Sequence, residues 1–290
     1  MMNALELLCK GVNVMKLVMT MLVKNEADII DQNIDFHASQ GVDHFIVMDH
    51  GSEDDTLAIL ARYRDRGILT LYQQDDPGYY QAEWVTAMAR EAAVAHQADW
   101  VINNDADEFW WPSQGDLRQT LASLPDTVGG VHISRCNFPA IVASDDQDFL
   151  ARMIYRDQQS VNVLGQPLPS KFCHRGYDTI VVSQGNHDAN DDALQSKIFF
   201  EGIEIFHFPV RSFDQFASKI RHGGKAYQLS PRLDGRIGAT WRSLYAIDQQ
   251  GGLRPVYQQQ CLALTDLSGR HDDRWILDTR LRDYMARPKA

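Results

Sequence analysis

Lys16 to Tyr72 reads KLVMTMLVKNEADIIDQNIDFHASQGVDHFIVMDHGSEDDTLAILARYRDRGILTLY, and this stretch decides the fold. Apolar runs alternate in it with amphipathic ones. Residues 16–23 are a short strand-like run. Residues 26–40 set Ile29, Ile30, Ile34 and Phe36 at helical spacing, and Gly41 ends that helix. His44–Met48 reads as a second buried strand, followed by the turn-rich Asp49–Asp55. Thr56–Arg66 is helical again, Gly67 closes it, and Ile68–Tyr72 is a third strand. Downstream, residues 79–97 form an alanine-rich helix and Trp100–Asn103 a fourth strand. Strands alternating with helices in this way predict βαβ units and a mainly parallel sheet. Open sheets of that kind bind ligands at the carboxyl ends of their strands. The places to look are therefore Lys24-Asn25-Glu26, Asp49-His50-Gly51-Ser52 and Asn104–Glu108.

The rest of the chain is consistent with a globular α/β protein. Of its 290 residues, 44% are hydrophobic and 23% charged, which excludes a disordered or collagen-like chain. With 28 basic against 39 acidic residues the net charge is −11, so the chain is a poor polyanion binder and no nucleic-acid partner is expected. An anionic small substrate needs a local basic set or a metal ion. Cys9, Cys136, Cys173 and Cys261 stand far apart with no CxxC, which reads as free thiols in a reducing compartment. No apolar run is long enough to span a membrane and the first residues make a poor signal peptide, so a cytoplasmic chain is expected. Residues 1–14 are expected to be a non-core extension, residues 15–225 the main domain, and residues 226–290 a helical and loop extension packed on it. In the second half Val128–Arg135 and Ile203–Phe208 read as strands and Phe213–Arg221 as a helix. The charged stretch His271-Asp272-Asp273-Arg274 falls in the C-terminal extension.

Asp105-Ala106-Asp107 leaves the fourth strand. Two carboxylates at i and i+2 in an extended segment point the same way and can approach one cation; carboxylate oxygens suit Mg²⁺ or Mn²⁺. Such an ion neutralises a diphosphate and stabilises it as a leaving group. A solvated acidic turn is the plainer alternative. The aromatics of Glu108-Phe109-Trp110-Trp111-Pro112 read either as a wall for an acceptor or as packing under the sheet. In Asp49-x-Gly51-Ser52-x-Asp54-x-Thr56, Ser52 or Asp54 can cap the next helix, and Asp49 can accept from a base or ribose. Asn25 can cap the helix that follows the first strand. Arg211, Lys219, Arg221 and Lys225 form a local basic set of the kind a diphosphate requires, or the flanks of a solvated helix. Lys171 and Arg175 are alternative phosphate or acceptor contacts. His187, next to Asp188, reads as a base, as another site residue, or as a loop cap.

Taken in order, Asn25-Glu26, Asp49-x-Gly51-Ser52-x-Asp54-x-Thr56 and Asp105-Ala106-Asp107 resemble the GT-A fold glycosyltransferases of family 2, over roughly residues 16–225. Lys171-x-x-His174-Arg175, Gly185-Asn186-His187 and His207-Phe208-Pro209-Val210-Arg211-Ser212 resemble a bacterial branch related to family 92. The resemblance implies a Rossmann-like, mainly parallel mixed sheet with helices on both faces and an irregular, partly helical C-terminal portion. It implies sugar transfer, with inversion favoured, from a nucleotide-diphosphate sugar, a UDP-sugar above all. The acceptor it implies is a saccharide or glycoconjugate, with surface polysaccharide synthesis and a membrane-adjacent partner as the expected setting. Asn25, Glu26, Asp49, Ser52, Asp54, Asp105, Lys171 and Arg211 are then expected at the donor. Mn²⁺ or Mg²⁺ is expected on Asp105, Asp107 and His207, with His187 and Asp188 as the base. His50 departs from the asparagine that relatives commonly carry. Two other readings stand beside it. Gly185-Asn186-His187-Asp188 with Asp35-Phe36-His37 fits a metallophosphoesterase, although the intervening Gly115-Asp116 lacks its later aspartate. A non-catalytic carbohydrate- or nucleotide-binding module is the third.

Overall fold

The computed structural model describes residues 14–141, 148–263 and 273–288. In chain order the first half contains β1 (Leu17–Val23), α1 (Ile30–Ser39), β2 (His44–Asp49), α2 (Thr56–Asp65), β3 (Leu69–Gln73), α3 (Gln81–Val94) and β4 (Trp100–Asn104). β5 (Glu108–Pro112), α4 (Leu117–Ala122), β6 (Val128–Ile133), β7 (Arg135–Asn137), α5 (Phe149–Arg152) and β8 (Tyr155–Asp157) follow. Next come β9 (Lys171–Arg175), β10 (Val181–Val182), β11 (Ala189–Asn190), β12 (Ser196–Phe199) and β13 (Ile203–His207). The chain then passes through α6 (Phe213–Gln228), α7 (Ala239–Gln249), α8 (Leu253–Gln260), β14 (Trp275–Leu277) and α9 (Arg280–Met285).

β1 is buried along its whole length, and its side chains divide between two apolar clusters. Leu17, Met19, Met21 and Val23 join Ile30, Ile34 and Phe36 of α1 and Leu60 and Tyr63 of α2. Val18 and Leu22 join Val85, Met88, Ala89 and Ala92 of α3. A strand covered on both faces needs a continuous apolar run rather than alternation, and KLVMTMLV supplies one. The central sheet has seven strands in the order β12-β6-β9-β4-β1-β2-β3. β1 is parallel to β2 and β4, and β2 to β3. β9 runs antiparallel to β4 and β6, so the sheet is mixed beyond β4. The expected α/β architecture with helices on both faces is therefore present.

A second sheet, β5-β13-β7, leaves the carboxyl edge of β4. β13 is antiparallel to β5, which sets His207 opposite Glu108, and parallel to β7, which sets His207 beside Asn137. Phe109 and Trp110 of β5 are completely buried. The Trp110 indole donates to Asn104 Oδ1 at 2.9 Å and its backbone N–H to His37 Nε2 at 3.1 Å. Trp111 stacks on Phe206 at 5.4 Å. The aromatic run is thus packing under the sheet, and the alternative of an acceptor wall at Trp110 and Trp111 is corrected.

Two helices differ from the sequence reading. α1 starts at Ile30, later than expected, because Ile29 and Ile30 both donate to the Glu26 carbonyl (3.0 and 2.9 Å) and close a turn. α6 continues past Arg221 to Gln228. Gly223 and Gly224 do not break it: a Cβ on Gly223 would lie 2.6 Å from the Trp241 ring, and one on Gly224 2.3 Å from Tyr245 Cβ. The glycines let α7 approach α6 closely. Position 225, the expected domain boundary, lies inside α6, and α6, α7 and α8 share a third apolar cluster around Phe216, Ile220, Leu244 and Leu253. Of the expected non-core extension only Val14 is described; Cys9, His271 and Asp272 also lie outside the described residues. Among the described residues no helix is long and apolar enough to cross a membrane.

Replacing Trp110 by alanine removes a fully buried indole and the donor to Asn104. A loss of about 3–5 kcal/mol is expected in urea denaturation, and a loss below about 1 kcal/mol would contradict its placement in the core.

Candidate active site

The loops after β1 and β2 are bonded together at the carboxyl edge of the sheet. Asn25 adopts a left-handed backbone with φ of 54°, a conformation asparagine tolerates better than most residues. Its N–H donates to Ser52 Oγ at 2.9 Å, and its Oδ1 accepts from the Glu53 N–H at 2.7 Å. The Glu26 N–H donates to Thr56 Oγ1 at 2.9 Å and the Ala27 N–H to Asp54 Oδ2 at 3.1 Å. Ser52 and Asp54, expected to cap α2, therefore mainly serve the first loop, though Asp54 Oδ1 also accepts from the Thr56 N–H at 3.0 Å. Asn25 is not the cap of α1, which begins five residues later. Asp49 Oδ2 accepts from the Ser52 N–H at 2.9 Å, while its Oδ1 is buried without a partner. Such an orphaned acceptor calls for an explanation.

Arg211 and Lys171 were expected at the donor diphosphate, but the structure commits both internally. Arg211 is 1% exposed. It donates to Glu26 at 2.5 Å, to both Asp28 oxygens at 2.7 and 2.8 Å, and to the Phe208 carbonyl at 3.0 Å. Glu26, expected at the nucleoside, is thereby the counterion of Arg211. Lys171 is equally buried and bonds Asp105, with Gly185 O at 3.0 Å and Glu108 at 3.5 Å.

Asp105 and Asp107 diverge. Asp105 gives one oxygen to Lys171 and the other to Asn186 Nδ2 at 3.1 Å. Asp107 Oδ2 takes Lys219 Nζ at 2.5 Å and faces His207 Nε2 at 3.8 Å. Among the described residues no set of three or more His, Cys, Asp or Glu side chains converges as metal ligands. The expected trio is not brought together: Asp105 turns to Lys171 and Asn186, while Asp107 faces His207 and Lys219.

The tautomer of His207 follows from its neighbours. Asn137 Nδ2 donates to the Val161 carbonyl at 2.8 Å, which turns Asn137 Oδ1 toward His207 Nδ1, also at 2.8 Å. Nδ1 therefore carries the proton, and the Nε2 lone pair points at the Asp107 carboxylate. Burial pushes the His207 imidazole down to about 3, so it is neutral. Burial pushes Asp107 up, but the ammonium of Lys219 and the guanidinium of Arg211 bring it below the usual carboxylate range. The His207 Nε2 lone pair and Asp107 Oδ2 thus face each other at 3.8 Å, with Lys219 Nζ on the same Asp107 oxygen.

His187 and Asp188 do not form a dyad. The His187 Nδ1–H donates to the Ser170 carbonyl at 2.9 Å, and a Cβ on Gly185 would lie 2.6 Å from Nε2. Burial and then Lys171 push His187 down to about 4, which makes it a weak base. Asp188 pairs with Lys197 at 2.7 Å. The hydrolase reading also loses its Asp-x-His pair. His37 lies in α1, wholly buried, with Nδ1 donating to the Asn33 carbonyl at 2.9 Å and Nε2 accepting from Trp110.

Residues not expected at the site are Asn137, Tyr79 and Tyr227. The Tyr79 and Tyr227 rings stand 5.1 Å apart. Burial, then Tyr227, Asp105, Asp107 and Glu26, push the Tyr79 hydroxyl well up, which shows how near it lies to the acidic groups. The signal available in the sequence was Gly78-Tyr79-Tyr80, an aromatic pair at a glycine turn, which the helical reading of 79–97 absorbed.

The site lies at the carboxyl ends of the strands of a mainly parallel α/β sheet, where open sheets of this kind bind ligands. Residues 18–160 match the model of glycosyltransferase family 92. That segment runs from the second residue of β1 to just beyond β8 and includes both Asp105 and Asp107. No curated protein matches the sequence. Among solved structures, S. aureus TarS is similar with a TM-score of 0.44 and 14% identity, covering 84% of this chain and 81% of that one. Mannosyltransferase PcManGT from Pyrobaculum calidifontis, in complex with GDP-Man and Mn²⁺, has a TM-score of 0.41 and 15% identity, covering 88% of this chain and 76% of that one. Glucosyl-3-phosphoglycerate synthase from Mycobacterium tuberculosis, in complex with Mn²⁺, UDP and glucosyl-3-phosphoglycerate, has a TM-score of 0.27 and 19% identity, covering 41% of this chain and 43% of that one.

Buried neutral histidines make the fold acid-labile. Burial pushes His37 down to about 3 and His174 to about 4 from an ordinary 6.5. The unfolded chain binds protons at these positions from about pH 6.5 downward and the folded chain does not, so their contribution is full above that pH and is lost as pH falls. Glu108, pushed up to about 7 by burial, works in the opposite sense. A lower urea midpoint is expected at about pH 5 than at about pH 7.5, with part of the difference removed in His37→Gln; equal wild-type midpoints would contradict the neutral assignment.

Proposed function

We propose that the protein transfers a sugar from a nucleoside-diphosphate sugar to an acceptor hydroxyl, with a divalent cation at Asp107 and His207. The observation that carries this reading is the meeting of Asp107 Oδ2 and His207 Nε2, two lone-pair atoms 3.8 Å apart with the imidazole neutral. Two protein ligands suit a cation that is shared with substrate phosphates, since such ions are normally held by one or two side chains plus the phosphates. When bound there, the cation neutralises the diphosphate and stabilises it as a leaving group. Asn137 holds the His207 ring with its lone pair inward, the kind of outer contact that fixes a ligand's orientation. Asp49 presents the unpartnered Oδ1 at the end of β2 to an N–H or O–H of the nucleoside. Asn25, Ser52 and Asp54 hold the two loops around it in place. Asp105, fixed by Lys171 and Asn186, shapes the same edge without being a ligand. His187, held by the Ser170 carbonyl, and Asp188, paired with Lys197, are given no part as the base in this reading. The match to family 92 over the segment that holds these loops supports transfer over mere binding.

The test is thermal unfolding with UDP and with GDP, each with and without Mn²⁺, on wild type and Asp107→Asn. At a ligand concentration of about 100 Kd a stabilisation near 2.7 kcal/mol is expected. It should require one of the nucleotides, Mn²⁺ and an intact Asp107. Absence of a shift with either nucleotide in wild type, with or without Mn²⁺, would overturn the donor assignment.

A further inference from the structure

The two lysines that neutralise the acidic pair are installed differently. Lys171 is 1% exposed, and three oxygens, from Asp105, Glu108 and the Gly185 carbonyl, surround its ammonium. It is a fixed part of the sheet's edge. The Lys219 side chain is 27% exposed. It reaches in from α6 and, among the described residues, pairs with two carboxylate oxygens, Asp107 Oδ2 at 2.5 Å and Glu26 Oε1 at 3.8 Å. Glu26 already has Arg211 as its counterion, so it does not depend on Lys219. The oxygen that Lys219 occupies is the one facing the His207 lone pair. An ammonium and a divalent cation cannot both hold that oxygen closely, because like charges a few ångströms apart repel strongly in a partly buried site.

Resting on the reading that Asp107 and His207 receive a divalent cation, we infer that Lys219 is a tethered stand-in for that cation, displaced from Asp107 when cation and donor arrive together. Where no cation is bound, its ammonium compensates the buried Asp107 carboxylate, which would otherwise be costly to hold ionised. When a cation takes Asp107, the ammonium is left beside a like charge unless an anion comes with it. A diphosphate is such an anion. Lys219 then contacts the diphosphate and acts as a positioning residue. The consequence is coupling: cation alone binds weakly, cation with nucleoside diphosphate binds well, and each raises the affinity for the other by the same factor.

Mn²⁺ binding, followed by the electron paramagnetic resonance signal of free Mn²⁺ and corrected for Mn²⁺ held by the nucleotide in solution, reads this coupling without turnover. UDP and GDP serve as the probes. In wild type Mn²⁺ is expected to bind about ten-fold or more tightly with one of the nucleotides than without. Lys219→Met keeps the aliphatic stem and removes the charge. It should bind Mn²⁺ alone about ten-fold more tightly than wild type and lose most of the coupling. Asp107→Asn in the Lys219→Met background should abolish the gain. Equal Mn²⁺ affinity in wild type and Lys219→Met, dependent on Asp107 in both, would overturn the stand-in role and leave the cation site standing. No Mn²⁺ binding in wild type or Lys219→Met, with or without nucleotide, would overturn the cation site and the stand-in role together. Should Lys219→Met fail to fold, wild type decides alone: Mn²⁺ affinity that does not respond to either nucleotide would overturn the proposal.

Discussion

The guanidinium of Arg211 holds the functional edge of the molecule together. A buried arginine is tolerated only where carboxylates and carbonyls satisfy its donors, and here Glu26, Asp28 and Phe208 O do so. The first two belong to the loop after β1 and the third to the segment after β13. That loop in turn grips the loop after β2 through Asn25, Glu26 and Ala27. On the other side Ser212 caps α6, accepting from the Gln215 N–H at 3.1 Å, and so sets the direction in which Lys219 reaches Asp107. One planar, permanently charged group therefore orients two loops and a helix. Lysine could not replace it, since a single ammonium cannot present the forked donors that Asp28 receives.

The same logic of internal pairing runs through the acidic edge. The chain carries a net charge of −11, yet four carboxylates of this edge each have a cation beside them: Glu26 with Arg211, Asp105 with Lys171, Asp107 with Lys219 and Glu108 with Arg135. Burial on its own would push all four carboxyls toward the protonated form. For Asp105 and Asp107 the neighbouring cations outweigh burial. For Glu108 burial prevails, and one of its oxygens has no partner. The acidic pair is thus ionised at the carboxyl edge of the sheet.

Much of the fold was legible. β1 to β4 and the three helices between them follow from apolar runs, helical spacing and glycine stops, signals that reside within each segment. The strand-end rule pointed to the loops and to Asp105 and Asp107. What escaped depended on distant partners. Gly223 and Gly224 look like a helix break until Trp241 and Tyr245 are set against them. Lys171 and Arg211 look like phosphate ligands because basic side chains are usually exposed, and only the mixed sheet and the β13–α6 connection bury them. Asn137 has no local mark at all; its role comes from the pairing of β7 with β13. His207 could be marked from the resemblance, but its partner and tautomer could not.

The span of these pairings also bears on the order in which the molecule is assembled. Arg211 lies 185 residues from Glu26, and Lys219 lies 112 from Asp107. Contacts of such separation form late, because long loops must close first. As the chain leaves the ribosome, the four parallel strands and their helices emerge with Glu26, Asp28 and Asp107 lacking their countercharges. The segment that carries the family match, residues 18–160, holds these acids without Arg211, Lys219 or His207. It can collapse around β1 before the cleft exists, and its carboxylates must stay hydrated until β13 and α6 arrive. The charge pairing of this edge is therefore complete only once the second half of the chain supplies the charges that the first half lacks.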